Sequence, residues 1–186
     1  MTYKLGSDIG FKNGLEVGFR SAKVGSKSIS VDKLVYLHVV EDTGSYYVDH
    51  GAAPRWYITV KKFDIYLSPK VKPVKTTVNL YFQRAAHAKE SPPLNVSANR
   101  GVGCEAVVNK NSIYKEDYGL DYSRTDPPCT VYQAVDKEFS IDLGNTYIVL
   151  VDLRGFSELG EDNIEAGVRP HSGKGAIRVE VYVERV

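Results

Sequence analysis

The sequence predicts an all-β protein, an antiparallel β-sandwich of Ig-like or jelly-roll topology with long polar loops. The composition of 13 Tyr, 16 Gly and 8 Pro among 186 residues is the first observation behind this prediction. It favours strands separated by turns. The second is the alternation of apolar and polar residues, which recurs in about nine to eleven short segments. The third is the near absence of amphipathic helical patterns, which favours a sandwich or barrel.

The bulk properties limit the organisation of the chain and its partners. A chain of 186 residues fits a single domain, which we place at residues 1–186. The net charge of +1 offers no electrostatic basis for binding nucleic acid. No run of about 18 apolar residues is present, so no membrane span is expected. No intact secretory signal opens the sequence.

Five strand segments are predicted in the first half of the chain. Their predicted positions are residues 15–19, 34–40, 45–49, 56–67 and 74–82. The last of these has the cleanest alternation. In the segment 56–67 the alternation changes phase at Lys61 and Lys62, which predicts a bulge or a bend.

The middle of the chain changes character. Residues 84–90 are predicted to form one or two helical turns, which Ser91 and the two prolines after it would end. A short strand follows at residues 104–108. Residues 109–128 are interpreted as a long polar loop, and loops of that length are usually functional or mobile.

The last third of the chain contains the strongest strand patterns. Residues 147–153 form an almost unbroken apolar run, which predicts a strand covered on both faces. A strand at 164–169 and a turn at 170–175 precede the closing strand 176–186. In that strand Ile177, Val179, Val181 and Val183 alternate with charged and polar residues, so one face is expected to be wet.

The acidic residues of the 109–128 loop are a candidate metal site. Glu116, Asp117, Asp121 and Asp126 supply enough carboxylate oxygens for a calcium ion if the loop folds back on itself. The spacing is not that of an EF-hand, and a solvated acidic loop is the alternative. Calcium is the single cofactor that we consider, and otherwise none is expected.

Two cysteines and one asparagine are candidates for covalent modification. Cys104 and Cys129 would form one disulfide bridge in an oxidising compartment, or would be two ordinary buried thiols. Asn95, followed by Val and Ser, matches the glycosylation acceptor pattern in a segment that we interpret as exposed loop.

No catalytic signature is found, and the chain is expected not to be an enzyme. A nucleophile elbow is missing, and the glycine pairs lack the context of a phosphate loop. The four histidines have no short metal-ligand spacing. His38 is interpreted as a sheet residue, whereas His50 and His171 are expected to be exposed in turns. Tyr114, Tyr118 and Tyr122 would form an exposed recognition patch or would pack onto the sandwich.

The strand-and-turn pattern of the C-terminal region resembles the end of archaeal flagellins (archaellins). The resemblance covers the strand start and apolar run at 143–153, the strand 164–170 that ends in proline, and the turn and Val/Glu-rich strand at 173–186. The N-terminal part of the chain resembles archaellins less closely, at residues 13–17 and 29–36. The family's apolar N-terminal helix is not in this sequence, so the resemblance implies its soluble outer domain.

The resemblance implies an extracellular structural subunit or accessory domain of an archaeal filament, at the cell surface and active in motility. It would work by self-association or by binding other surface-layer components. The expected contact surfaces are strand edges and the loops 41–55, 84–103 and 109–128. Two alternatives are a viral coat protein of jelly-roll fold and a carbohydrate- or surface-layer-binding module. The module would use Trp56 and the loop tyrosines.

Overall fold

The computed structural model describes residues 15–19, 34–48, 56–89, 101–119, 130–157 and 164–185. Eleven strands are present in these ranges: β1 Leu15–Phe19, β2 Leu34–Asp42, β3 Tyr46–Val48, β4 Ile58–Tyr66, β5 Pro73–Lys89, β6 Gly101–Val108, β7 Asn111–Gly119, β8 Thr130–Asp142, β9 Ile148–Ser157, β10 Ile164–Arg169 and β11 Ile177–Arg185. All strand pairs are antiparallel. The prediction of an all-β antiparallel fold is confirmed.

The strands form two sheets that pack face to face. The larger sheet has the order β1-β2-β11-β5-β10-β3, with β8 on the other side of β5. β10 and β11 pair one after the other with the same edge of β5. Together they occupy one strand position in the sheet, which we call a row. β2 and β3 in turn pair with these two strands and form a second interrupted row. The larger sheet therefore has five rows, and the smaller sheet, β4-β9-β6-β7, has four.

The pairing pattern is that of a long hairpin rolled into two layers. β6 pairs with β7, β5 with β8, β4 with β9, and the β2/β3 row with the β10/β11 row. Each pair lies outside the previous one in the sequence, and successive pairs alternate between the smaller and the larger sheet. This double Greek-key arrangement is a jelly roll. Of the two predicted topologies, the structure has the jelly roll.

The core lies between the two sheets and comes from alternate residues of the strands. From the larger sheet it takes residues such as Val78, Leu80, Phe82 and the aliphatics of β11, and from the smaller sheet Val149, Val151 and Leu153. Ile177, Val179, Val181 and Val183 are fully buried, as the alternation predicted. The apolar run in β9 was predicted to be covered on both faces, and this is wrong. Its even-numbered residues lie on the outer face, where Ile148 is 43% exposed.

Two further local predictions are wrong for reasons of tertiary context. Residues 84–89 belong to β5 and form no helical turns, because β8 and β10 hydrogen-bond to both edges of that segment. Residues 111–119 form β7 and not a loop. The turn before β7 is Asn109 and Lys110, both with positive φ, and Asn109 is fixed by hydrogen bonds with Ile148 and Leu150 of β9. The predicted bulge in β4 is confirmed, between Thr59 and Lys61.

The turn between β10 and β11 folds onto the outer face of the larger sheet. His171, expected to be exposed, is 5% exposed there, with its ring edge against Tyr81. The Nδ1 atom of His171 accepts a hydrogen bond from Gly173 N, and the Nε2 atom lies 3.0 Å from the Glu138 carboxylate. Asp136 accepts hydrogen bonds from the backbone and the hydroxyl of Ser172. These contacts hold the turn against β5 and β8.

Candidate interaction surface

The two sheets are offset on the flank of the sandwich formed by β2 and β4. β4 lies over the β2/β3 row, since Lys61 of β4 contacts Asp42 of β2 and Tyr46 of β3. β1 pairs with β2 on the side away from β11, so the larger sheet continues one row past β4. Among the described residues, β4 has a paired strand on one edge alone. In the described part of the chain this flank is therefore open, and we call it the open flank.

A groove of about 490 Å³ runs along the open flank between β2 and β4. Its lining residues come from these two strands: His38, Val40, Glu41, Asp42, Lys61, Lys62, Phe63, Asp64, Ile65 and Tyr66. The floor is apolar, because Phe63 and Ile65 are buried and belong to the core. Burial lowers the pKa of His38, which favours its neutral form. The groove thus combines an apolar floor with charged rims.

One end of the groove is closed by an ion pair between Lys61 and Asp42, whose side chains are 21% and 23% exposed. Asp42 also accepts hydrogen bonds from Gly44 N and from the Tyr46 hydroxyl. Partial burial opposes the charge of Asp42, but the hydrogen bonds from Lys61, Gly44 and Tyr46 outweigh burial and lower its pKa. For Lys61, burial is likewise outweighed by the hydrogen bonds with Asp42 and Tyr46, which raise its pKa.

A patch of exposed apolar side chains lies at the other end of β4. It consists of Tyr66, Tyr147 and Ile148, which are 64%, 40% and 43% exposed, and we call it the β4–β9 patch. Tyr66 and Ile148 are directly opposite one another in the β4–β9 pair. Tyr147 precedes Ile148 in sequence, and its carbonyl accepts a hydrogen bond from Leu67 N. Exposed apolar residues that lie close together often mark protein-binding surfaces. Trp56 is 62% exposed and precedes β4 at its opposite end.

The opposite flank, where β7 packs over β8, is closed by a cluster of charged and aromatic side chains. The Glu116 carboxylate forms ion pairs with Arg84 Nε and Lys137 Nζ, each at 3.0 Å. It also accepts a hydrogen bond from the Tyr114 hydroxyl. The Arg84 side chain is 9% exposed and lies over the Tyr118 ring at 3.8 Å. We call these residues the Glu116 cluster. It binds the two sheets together through charges and not through apolar contacts alone.

The structure separates the residues of the predicted calcium loop. Glu116 and Asp117 are neighbours in a strand, so their side chains point to opposite faces. Glu116 belongs to the cluster just described, and Asp117 accepts a hydrogen bond from Tyr57. Asp121 and Asp126 lie outside the described residues. In the described part of the chain no group of three or more His, Cys, Asp or Glu side chains could hold a metal ion.

The other predicted sites are only partly within the described ranges. Cys104 is buried on the inner face of β6, and burial raises the pKa of its thiol to about 12. Cys129 and the glycosylation candidate Asn95 lie outside the described residues, so both assignments stay predictions. Tyr114 and Tyr118 pack into the sandwich, whereas Tyr122 is outside the described ranges. The recognition patch therefore loses two of its three tyrosines.

Comparison with known proteins gives distant structural likenesses. No family model and no curated protein sequence matches the chain. Dimeric latent PorU from Porphyromonas gingivalis matches with 11% identity and a TM-score of 0.41, covering 89% of this chain and 14% of PorU. The structure of infectious bursal disease virus, Gt strain, matches with 12% identity and a TM-score of 0.35, covering 95% and 45% of the two chains. The chain thus spans less than half of either protein, and likenesses at this level carry no functional assignment.

In the parts of the chain that the structure describes, no helix is long and apolar enough to cross a membrane.

Proposed function

We propose that this chain is a structural subunit that associates with copies of itself to form a protein coat. The observation that supports the proposal most is the β4–β9 patch, in which exposed Tyr66 of the edge strand β4 lies opposite exposed Ile148 of β9, with exposed Tyr147 next to it in sequence. Edge strands in monomeric proteins are usually covered, charged or very short, and β4 carries the charged Lys62 and Asp64 but is neither short nor covered by a further described strand. β4 is nine residues long and is flanked at both ends by exposed aromatic side chains.

The charges along β4 make its association selective. Lys62 and Asp64 lie 3.2 Å apart on the outer face of the strand, where both are well exposed. A strand that pairs here must bring complementary charges, because like charges placed opposite one another destabilise a sheet. The apolar patch supplies affinity, and the charged pair restricts the partner.

The choice of a coat over a filament rests on analogy at the level of the fold. Jelly rolls recur in viral capsid proteins and in lectins, but a fold alone does not define a function. The archaellin-like filament subunit is the competing assembly, and it would place the protein at the cell surface. Both assemblies need a contact surface and no catalytic group, and they differ in whether the contacts close into a shell or propagate.

Sedimentation velocity and negative-stain electron microscopy of the full chain test the proposal. We expect species heavier than the 20.6 kDa monomer, and closed particles in the micrographs. Ile148→Asp should weaken assembly at least about tenfold, since it places a charge in the β4–β9 patch. The matched control is Val74→Asp, which alters an apolar residue that is 51% exposed and outside the patch.

Each outcome has a definite meaning. A monomer at every concentration contradicts the proposal, and so does equal assembly of both variants. Long filaments in place of closed particles would support the archaellin-like alternative and contradict the coat.

A further inference from the structure

The two sheets differ by one strand position on the open flank. Among the described strands, the larger sheet has five rows and the smaller has four, and β7 packs over β8 on the closed flank. The unoccupied position therefore lies beside β4 and over β1. An extended chain paired with β4 would fill it, because neighbouring strands lie about 4.8 Å apart and facing sheets about 10 Å apart.

This position has room for a single strand but not for a double edge of a second sandwich. Double edges are those where two strands face one another, such as β4 over β2 or β7 over β8. If one of them approached β4, its second strand would collide with β1, which projects one row past β4. The occupant that fits is therefore a lone extended segment, and strand addition of this kind is a recurring mode of peptide recognition.

The groove at this position selects apolar side chains. Its volume of about 490 Å³ is within the range of about 300–1,000 Å³ that is typical of ligand sites. Val40, Phe63 and Ile65 line it, and the last two are only 7% and 4% exposed. A strand beside β4 directs every second side chain toward these residues. The segment must therefore carry apolar residues at alternate positions.

The outer face of β4 selects the charges of the segment. Lys62 and Asp64 lie two residues apart there, and their side chains are 55% and 38% exposed. An exposed ion pair of this kind contributes little by itself, so both charges can take new partners. Opposite charges across a ladder stabilise it, and like charges destabilise it. In an antiparallel segment, a basic residue opposite Asp64 therefore comes two positions before an acidic residue opposite Lys62.

We propose that the open flank binds a lone extended segment of a partner chain, antiparallel to β4, with alternate apolar residues and with a basic residue two positions before an acidic one. Backbone hydrogen bonds to β4 supply affinity, and the groove and the two charges supply selection. The inference rests on the proposed function in one respect, that the open flank is a contact surface, and it states what a partner presents there.

Two synthetic peptides of identical composition test the inference. Thr-Val-Lys-Leu-Glu-Val-Thr has the expected order of charges, and Thr-Val-Glu-Leu-Lys-Val-Thr has the reverse order. Each is titrated into the full chain carrying Ile148→Asp, so that assembly does not compete, and amide NMR shifts give the dissociation constants. The first peptide should bind about tenfold more tightly, because its two charges lie opposite their complements. The shifted amides should lie in β4 and β2.

Two matched double variants locate the binding edge. Lys62→Asp with Asp64→Lys exchanges the two charges on β4 and should reverse the preference between the peptides. Lys115→Asp with Asp117→Lys makes the same exchange on β7, the strand at the other edge of the smaller sheet, and should leave the preference unchanged. A reversal caused by the second variant and not by the first would place the peptide on β7 and overturn the inference.

The outcomes separate this inference from the proposed function. Equal binding of the two peptides, or no binding, contradicts the inference. If neither binds and the β4 amides of the dispersed protein are already protected from exchange, the chain itself covers the edge. If the peptides bind as expected but the protein without Ile148→Asp stays monomeric, the proposed function fails and the peptide site stands. If that protein assembles and neither peptide binds, the proposed function stands and the inference fails.

Discussion

The two flanks of the sandwich differ in how the edges of the two sheets are joined. On the closed flank β7 lies over β8, and the Glu116 cluster fills the space between the sheet edges with a buried arginine, a lysine and two tyrosines. On the open flank the sheets are offset by one row, and among the described residues one ion pair, Lys61 with Asp42, bridges them at one end of the groove. The difference is why we propose the open flank as the side that a partner binds.

The ion pairs on the two flanks differ in how deeply their side chains are buried. Arg84 is almost fully buried, so it needs Glu116 as a counter-charge. Lys61 and Asp42 keep about a fifth of their side-chain surface exposed, so water can replace either partner. The closed flank should therefore be sensitive to substitution and the open flank tolerant.

The largest effect on stability is expected from Glu116→Ala. The change leaves the buried Arg84 without its counter-charge, which typically costs about 3–5 kcal/mol. Urea unfolding measured by circular dichroism gives the free energy of unfolding. Asp117→Ala removes the adjacent, exposed carboxylate and its hydrogen bond from Tyr57, and it serves as the control, with an expected loss of about 0.5–1 kcal/mol. Equal losses for the two variants would show that the Glu116 cluster does not hold the flank together.

A smaller effect is expected from Asp42→Ala on the open flank. The substitution removes hydrogen bonds from Lys61, Gly44 and Tyr46, but all three donors can reach water, so the loss should be about 1–2 kcal/mol. The same urea titration measures it. A loss of stability as large as that of Glu116→Ala would contradict the account, because it would mean that the ion pairs of the two flanks are equally buried.

The smallest expected effect is a change in the free energy of unfolding at acid pH. Burial opposes the charge of Glu116, but hydrogen bonds from Tyr114 and Lys137 and the charge of Arg84 lower its pKa below 4.5. A lowered pKa stabilises the fold above the unfolded value, and this stability is lost as the pH falls through the folded value. The difference in unfolding free energy between wild type and Glu116→Gln should therefore shrink below about pH 4.5. A constant difference down to pH 3 would contradict this assignment.

Local patterns in the sequence predicted the strands well where one sheet face is buried. The alternation in β5 and β11 identified their buried faces, and the phase change in β4 identified its bulge. The sequence missed β7, because its turn is formed by Asn109 and Lys110 and lacks the usual glycine. It also assigned helical turns to 84–90, where alanine-rich sequence is held in a strand by neighbours on both sides.

The candidate surface was much harder to predict than the fold. Trp56 was recognised as an aromatic candidate, and it is exposed. The β4–β9 patch was not recognised, because Tyr66 and Ile148 are far apart in sequence and meet only through strand pairing. Tyr114, Glu116 and Tyr118 of the Glu116 cluster were interpreted as part of a polar loop, because β7 was not predicted. Sequence periodicity identifies a strand's faces, but the neighbouring strand is set by long-range topology.

Amide hydrogen exchange of the assembled protein against its dispersed form, obtained by dilution, tests the central claim most directly. If the open flank is the contact surface, amides of β4 between Lys61 and Tyr66 should gain protection on assembly, because a new strand covers the free edge. Amides of β7 on the closed flank should exchange equally in both forms. Protection gained in β7 and not in β4 would contradict the assignment of the contact surface to the open flank.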